Sequence, residues 1–207
     1  MDNIIQKTMQ NLESNNIRAY FAPSKKDVCD IVSAIINAGD TVTWGGSVTL
    51  SECGVTDFLK SGAYRALDRA QARDAREVYL QSFNADAYFC SSNAVTEDGV
   101  LYNVDGNANR VAAIAFGPRK VVMIVGKNKI VPDLDAAVNR VKTTAAPKNT
   151  VRLGLDTPCS KSGKCVSDCM TQGCKGGGRI CCQYLVSAQQ RQKDRIHVII
   201  VDEVLGY

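Results

Sequence analysis

The chain has 207 residues, 45% of them hydrophobic, and a formal charge of +4, which fits one globular domain with a buried core. No run approaches the roughly eighteen uninterrupted apolar residues of a membrane span, and the opening MDNIIQKTMQNLESNN alternates apolar and polar residues where a secretory leader has a basic head and an apolar stretch. The expectation is a cytoplasmic protein, not membrane-associated, whose nine cysteines, an odd number for pairing, serve metal or redox chemistry rather than structural disulfides.

Residues 1–16 read as a helical segment with Ile5, Met9 and Leu12 on one face. IRAYFA reads as a short strand. Ser24 with Asp27 three residues on predicts a capped helix that presents Val28, Ile31, Val32, Ile35 and Ile36 and stops at Gly39. TVTW is a strand leading into GGSVTLSECG, where Thr49 and Glu52 have the spacing of a capping box. DAYFC and VLYNV read as strands, and Glu97-Asp98-Gly99 as an ordinary turn between two strands, favoured over a site role for Glu97 and Asp98. NANRVAAIAF predicts a helix halted by Gly117 and Pro118, and KVVMIVG, without polar alternation, a buried central strand. Pro132 suits the first turn of a helix with Leu134, Ala137, Val138 and Val141 on its face, and RIHVIIVDEVL closes the chain as a strand. This alternation predicts an α/β fold, a mainly parallel sheet flanked by helices, as a single domain over 1–207. A cysteine-rich insertion near the C-terminus, residues 157–183, interrupts it with too few large apolar side chains for a core of its own.

Three stretches collect side chains suited to a site. WGGSVTLSECG sets Gly45, Gly46, Ser47 and Thr49 between a strand and a helix start, where free N–H groups and the helix dipole favour a phosphate or carboxylate. A plain tight turn fits the same letters, because neither glycine-rich phosphate-binding pattern is present. SSNAVTEDGVLYNVDGNANR supplies Asn93 and then Asp105, Asn109 and Arg110 at a helix entrance, groups able to handle a proton and a carboxylate. GKNKIVPD follows the most hydrophobic strand, and ligands of open α/β sheets gather at strand carboxyl ends, so Lys127, Asn128 and Lys129 are candidates to face that crevice. His197, the only histidine, lies in an apolar run and reads as structural.

TPCSKSGKCVSDCMTQGCKGGGRICCQ carries six cysteines spaced C-x5-C-x3-C-x4-C-x6-C-C. Residues 159–195 hold seven basic side chains against Asp168 and Asp194, so the positive charge belongs to this region. Nearby cations favour thiolates, the soft ligands that iron–sulfur clusters and zinc select. No aromatic residue lies between Cys159 and Cys182, so nucleic acid finds no stacking platform and is not expected as a partner. Neither paired zinc-ribbon knuckles nor ferredoxin spacing is present, and spacing alone leaves cluster, zinc and redox-active disulfide open. Cys29 and Cys90 sit in apolar runs as core residues, and Cys53 is ambiguous.

WGGSVTLSECG, the long block from SSNAVTEDG to KTTAAP, TPCSKSGKC, RIC and RIHVIIVDEVLGY together resemble the LUD-domain family, the lactate-utilization proteins, from about residue 40 onward. The resemblance implies a fold of the ribose-phosphate isomerase and CoA-transferase-like type, and a place in growth on L-lactate beside iron–sulfur oxidoreductase partner proteins. Cys159, Cys165 and Cys181 match family positions, whereas Cys169 lies one residue further on than the family pattern and MTQGCKGGG is longer. The block around Asp105 is also distantly similar to the segment of sugar-phosphate isomerases in which an acid and a glycine-rich turn line the substrate site.

The expected function is therefore lactate or related organic-acid utilization, with an iron–sulfur cluster on Cys159, Cys165, Cys169 and Cys181, Cys174 next in line, inside a multi-protein oxidoreductase. An alternative is a superfamily-type enzyme acting on a phosphosugar or acyl-CoA. There the Gly45–Thr49 turn, with Asn93, Asn109, Arg110 and Asn128 beside it, holds the small organic-acid or phosphorylated ligand. Asp105 is then the general base, and Lys127 or Lys129 stabilises the enolate or phosphate. A zinc-stabilised scaffold is the third reading.

Overall fold

The computed structural model describes residues 1–207. In chain order the first half comprises α1 (Asn3–Ser14), β1 (Arg18–Ala22), α2 (Val28–Ile35), β2 (Thr41–Trp44), α3 (Val48–Glu52), α4 (Val55–Leu59), β3 (Arg65–Leu67), α5 (Ala75–Gln81), β4 (Ala87–Cys90), β5 (Ala94–Thr96) and β6 (Leu101–Asp105). There follow α6 (Asn109–Ala115), β7 (Lys120–Gly126), β8 (Ile130–Val131), α7 (Leu134–Arg140), α8 (Ala146–Arg152), α9 (Pro158–Ser162), β9 (Gln183–Ser187) and β10 (Ile196–Val201).

Six strands form one parallel sheet in the order β1-β10-β7-β4-β2-β3. Its centre consists of β7 and β10, whose near-continuous apolar sequences bury both faces. Val122, Ile124, Ile199 and Val201 pack with α2 and α4 on one face, and Val121, Met123, Val198 and Ile200 with α1 and α6 on the other. Each such side chain contributes on the order of 1.5–3 kcal/mol by leaving water. The sheet flanked by helices is the α/β class expected.

A second sheet, of order β8-β5-β6-β9, was not expected. Of its strands β6 is the one expected at VLYNV; β5 and β8 span three and two residues, too short for periodicity to mark them, and β9 emerges from the cysteine-rich segment. It places the cysteine-rich segment, because β9 pairs antiparallel with β6 and the Cys182 N–H donates to the Asp105 carbonyl at 2.9 Å. After α9 the chain has no regular structure until β9, yet it is tied down at both ends.

Local details differ from the sequence reading where caps compete. Ser24 and Asp27 do form a capping box, but around a 3-10 turn ahead of α2. The helix ends at Ile35; Ile36 is extended and buried, and Gly39 takes its positive φ in the following turn. Ser47, not Thr49, caps α3, and Asp133 caps α7, leaving Pro132 outside that helix. The hydroxyl or carboxylate that stands just before the first helical residue captures its N–H groups. Gly99 turns the β5–β6 hairpin at φ +83°, as expected, and only a residue without Cβ fits there, against the backbone of Asn11. No helix is long and apolar enough to cross a membrane.

Candidate functional site

Beyond the carboxyl ends of β2, β4 and β7 lies a cleft of about 520 Å³, within the size range of small-ligand sites. One wall is the turn Gly45–Thr49 and the ends of β4 and β6; the other is α8 and the glycine-rich end of the cysteine segment. Gly45 is needed here, since a Cβ would stand 2.7 Å from the Tyr88 hydroxyl. Of the predicted residues, Gly45, Gly46, Ser47, Thr49, Asn93, Asp105, Asn109, Arg110, Lys129 and Cys181 stand in the lining. Because α3 spans five residues, its dipole is small, and Ser47 already occupies the Leu50 N–H. The positive potential comes instead from side chains.

Five cations line the cleft: Arg69, Arg110, Lys129, Arg152 and Arg179. Only Arg110 has a carboxylate partner, Asp105. Arg69 donates to the Tyr79 hydroxyl at 3.1 Å, and Arg152 to the Tyr207 hydroxyl at 2.6 Å. Sequence reasoning missed Arg69, Tyr79, Arg152 and Tyr207, which lie far apart in polar stretches without a motif; the one cue was their residue type.

Asp105 and Arg110 form the scaffold of the site. The Asp105 Oδ2 accepts the Arg110 and Val111 N–H groups at 2.9 Å and so caps α6, while Oδ1 accepts the Arg110 Nε at 2.9 Å. The guanidinium also reaches the Ser91 carbonyl, the Asn103 and Asn93 side-chain oxygens and the Val104 carbonyl, at 2.6–3.0 Å. Every N–H of Arg110 is thereby used, and both Asp105 oxygens are engaged. Their geometry is that of a brace, not of a free base.

Lys129 is 3% exposed and ends the 3-10 turn after β7. Its Nζ donates to Thr49 Oγ1 at 2.8 Å and Ser91 Oγ at 2.9 Å, with no carboxylate in reach. Burial first, then the charges of Arg140 and Arg110, lower its pKa to about 7. Gly206, with φ +56°, lies against Thr49 and Lys129, so the tail covers the amine without a side chain in the way. Lys127 and Asn128 lie apart from the cleft: Lys127 pairs with Asp202 at 2.8 Å, and Asn128 accepts the Leu205 N–H at 3.0 Å.

Helices α7 and α8 are joined by a π turn, Val141–Ala145. In that register the Ala146 N–H donates to the Val141 carbonyl, and the next donor would be residue 147, a proline without an N–H. The Lys142 carbonyl thus stays open and accepts the Cys165 N–H at 2.9 Å. On its other side the π turn supplies Val141 and Ala145 to the cleft.

Behind this partition Cys159, Cys165, Cys174 and Cys181 line a cavity of about 20 Å³. Lys142, 4% exposed, donates to the Gln172 carbonyl and lies 3.6 Å from the Cys165 sulfur. Arg179 holds the segment by donating to the carbonyls of Cys181, Cys174 and Thr171 at 2.8–3.1 Å. Burial raises the Cys181 pKa to about 11. Cys169 points elsewhere: it is exposed, and the Thr171 and Gln172 N–H groups lower its thiol pKa. All nine cysteines are free thiols, and no three His, Cys, Asp or Glu side chains stand together at metal-holding distance. Cys53 proves to be buried in the core, as is Cys90, and Cys29 packs half-buried against it. His197 is a satisfied buried side chain between the Tyr20 hydroxyl and the Asp194 carbonyl.

The profile of the LUD domain matches residues 5–201. No curated protein matches the sequence. Among solved structures, a DUF162 family protein from Deinococcus radiodurans has 16% identity and a TM-score of 0.55, with 96% of each chain covered. That likeness shows the fold. The α subunit of a malonate decarboxylase from Acinetobacter baumannii follows at 11% identity and TM-score 0.42, over 98% of this chain and 38% of that one. The eIF2B beta protein of Chaetomium thermophilum follows at 13% identity and TM-score 0.39, over 53% and 40%.

Proposed function

The chain belongs to the LUD-domain family, proteins of the lactate-utilization type, and from that premise we propose that its cleft binds a small organic acid or its phosphorylated counterpart during lactate or related organic-acid utilization. The observation that carries this is the charge imbalance: five cations line one cleft and a single one is neutralised. Lys129 is buried and Arg69 and Arg179 are half-buried, and such charge without a partner is unfavourable until an anion arrives; Arg152 adds an exposed charge at the rim. Arg69 and Arg152 pair with the carboxylate, the Tyr79 and Tyr207 hydroxyls orient it, and Lys129 meets the remainder at the cleft floor. Asp105 acts through Arg110 as a positioning residue.

Thermal unfolding at constant ionic strength tests this with L-lactate, malonate, 3-phosphoglycerate, ribose 5-phosphate and acetyl-CoA. An organic acid at about a hundred times its Kd is expected to stabilise the fold by about 2.7 kcal/mol, and Arg152→Ala to weaken that shift. Stabilisation by ribose 5-phosphate or acetyl-CoA alone favours the superfamily-type enzyme. No shift with any of them beyond a chloride control overturns both readings.

A second reading gives the cysteine segment an iron–sulfur cluster serving oxidoreductase partner proteins, with zinc in a scaffold as its alternative. It is favoured by the four thiols that share one cavity beside Lys142 and Arg179, whose two positive charges would balance four thiolates on a doubly charged core. The residues as arranged do not fit a preformed centre. The thiols converge without reaching metal-holding distance, and about 20 Å³ suits one ion far better than a four-iron cluster. No step of the proposed function runs through a metal. Protein purified without oxygen is expected, on this reading, to carry iron and acid-labile sulfide in comparable amounts, and Cys159→Ser to bleach it. Zinc alone favours the scaffold, and metal-free protein ends both versions.

A further inference from the structure

Lys129 is a buried amine at the floor of a cleft built for anions, and it has no acid to hold it as an ammonium ion. Resting on the anion reading of the same cleft, we propose that Lys129 captures an oxo acid, an aldehyde or ketone that also carries a carboxylate, as a reversible imine.

Three features place this chemistry at Lys129 rather than at another lysine. First, its neighbours Arg110 and Arg140 are cations that a further ammonium would repel, and they are fixed: Arg140 donates to the Asn93 and Asn128 carbonyls at 2.6 and 3.1 Å. An uncharged amine, or an imine, relieves that repulsion. Second, two hydroxyls, of Thr49 and Ser91, stand on the nitrogen at 2.8 and 2.9 Å, positioned to carry a proton between it and the substrate oxygen. Third, the unpaired Arg69 and Arg152 line the same cleft and receive the carboxylate, which brings the carbonyl to the amine. Lys142, the other buried lysine, faces thiols and a carbonyl instead, and Lys127 is tied to Asp202 on the surface.

The step balances without a redox partner. The nitrogen lone pair adds to the carbonyl carbon and the carbonyl oxygen takes a proton, giving a carbinolamine. That hydroxyl leaves as water with a second proton, and a C=N bond remains. One water is released and no electrons are exchanged.

The test is trapping with cyanoborohydride in the presence of glyoxylate or pyruvate, read by intact-protein mass spectrometry and peptide mapping. One adduct per chain is expected on the peptide that contains Lys129, with a mass equal to the oxo acid less one oxygen. Saturation with an acid that lacks a carbonyl but raises the melting temperature should suppress it. Lys129→Arg and Lys129→Met, each confirmed folded by thermal unfolding, should lose that adduct. If acids raise the melting temperature yet neither oxo acid labels Lys129, the imine fails and the anion reading stands. Labelling spread over exposed lysines at the rate seen in urea-unfolded protein also overturns the imine. Absence of both labelling and thermal stabilisation removes both.

Discussion

Arg110→Met is expected to lower the unfolding free energy by about 3–5 kcal/mol, because it breaks a buried ion pair while leaving the other partner in place. The guanidinium joins the ends of β4 and β6 to the first turn of α6 through Ser91, Asn93, Asn103, Val104 and Asp105. Without it, Asp105 keeps only two backbone N–H partners. Asn103, fully buried and already holding one unpartnered Nδ2, loses the donor on its oxygen as well. Urea unfolding followed by circular dichroism measures the change. A loss below about 1 kcal/mol would mean that water replaces the guanidinium, and that the brace is weaker than its hydrogen bonds indicate.

Lys129→Met is expected to act in the opposite direction, stabilising the ligand-free protein by on the order of 1–4 kcal/mol while abolishing its response to organic acids. Burial lowers the amine to about 7 when folded, against 10.5 for a free lysine. Between those two values the unfolded chain holds a proton that the folded chain has released. Wild-type stability, measured relative to the variant, should therefore rise with pH across that window. Below it both states are protonated and the full penalty applies; above it neither is, and the penalty is gone. The groups that face the amine are Arg110 from α6, Arg140 from α7, and Glu52 and Cys53 from the end of α3; Glu52, the one carboxylate, accepts the Gly206 N–H and makes no hydrogen bond to the amine. Unfolding curves for both proteins at the two ends of that window, about pH 7 and 10.5, decide the matter. A variant less stable than wild type at every pH would show that Lys129 is held by an attraction its neighbours do not reveal.

Much of the architecture was legible along the chain. VVMIV within KVVMIVG and VIIV within IHVIIV are apolar at every position, which a strand tolerates only when both of its faces are buried. Glu97-Asp98-Gly99 was legible as a turn because its glycine is required at positive φ. By contrast, β5, β8 and β9 are too short for a period, and the sheet they form with β6 depends on pairings between residues far apart in sequence. The π turn was hidden for a related reason: Pro147 announces a missing donor, but not that Cys165 takes the freed carbonyl.

The candidate site divides in the same way. Spacing could nominate Lys127, Asn128 and Lys129 as a set, yet one turn of 3-10 helix sends the first to the surface, the second to the tail and the third into the cleft. Spacing could count six thiols, but the segment's folding around Arg179 and Lys142 brings Cys174 to the shared cavity and leaves Cys169 outside it. By itself the sequence determined the α/β class, the central strands and the residue types available for chemistry, because periodicity and turn chemistry act between near neighbours. Only the tertiary structure decided which cations meet without a counter-ion, since Arg69, Arg152 and Lys129 come together across the fold, and an electrostatic imbalance depends on distance in space.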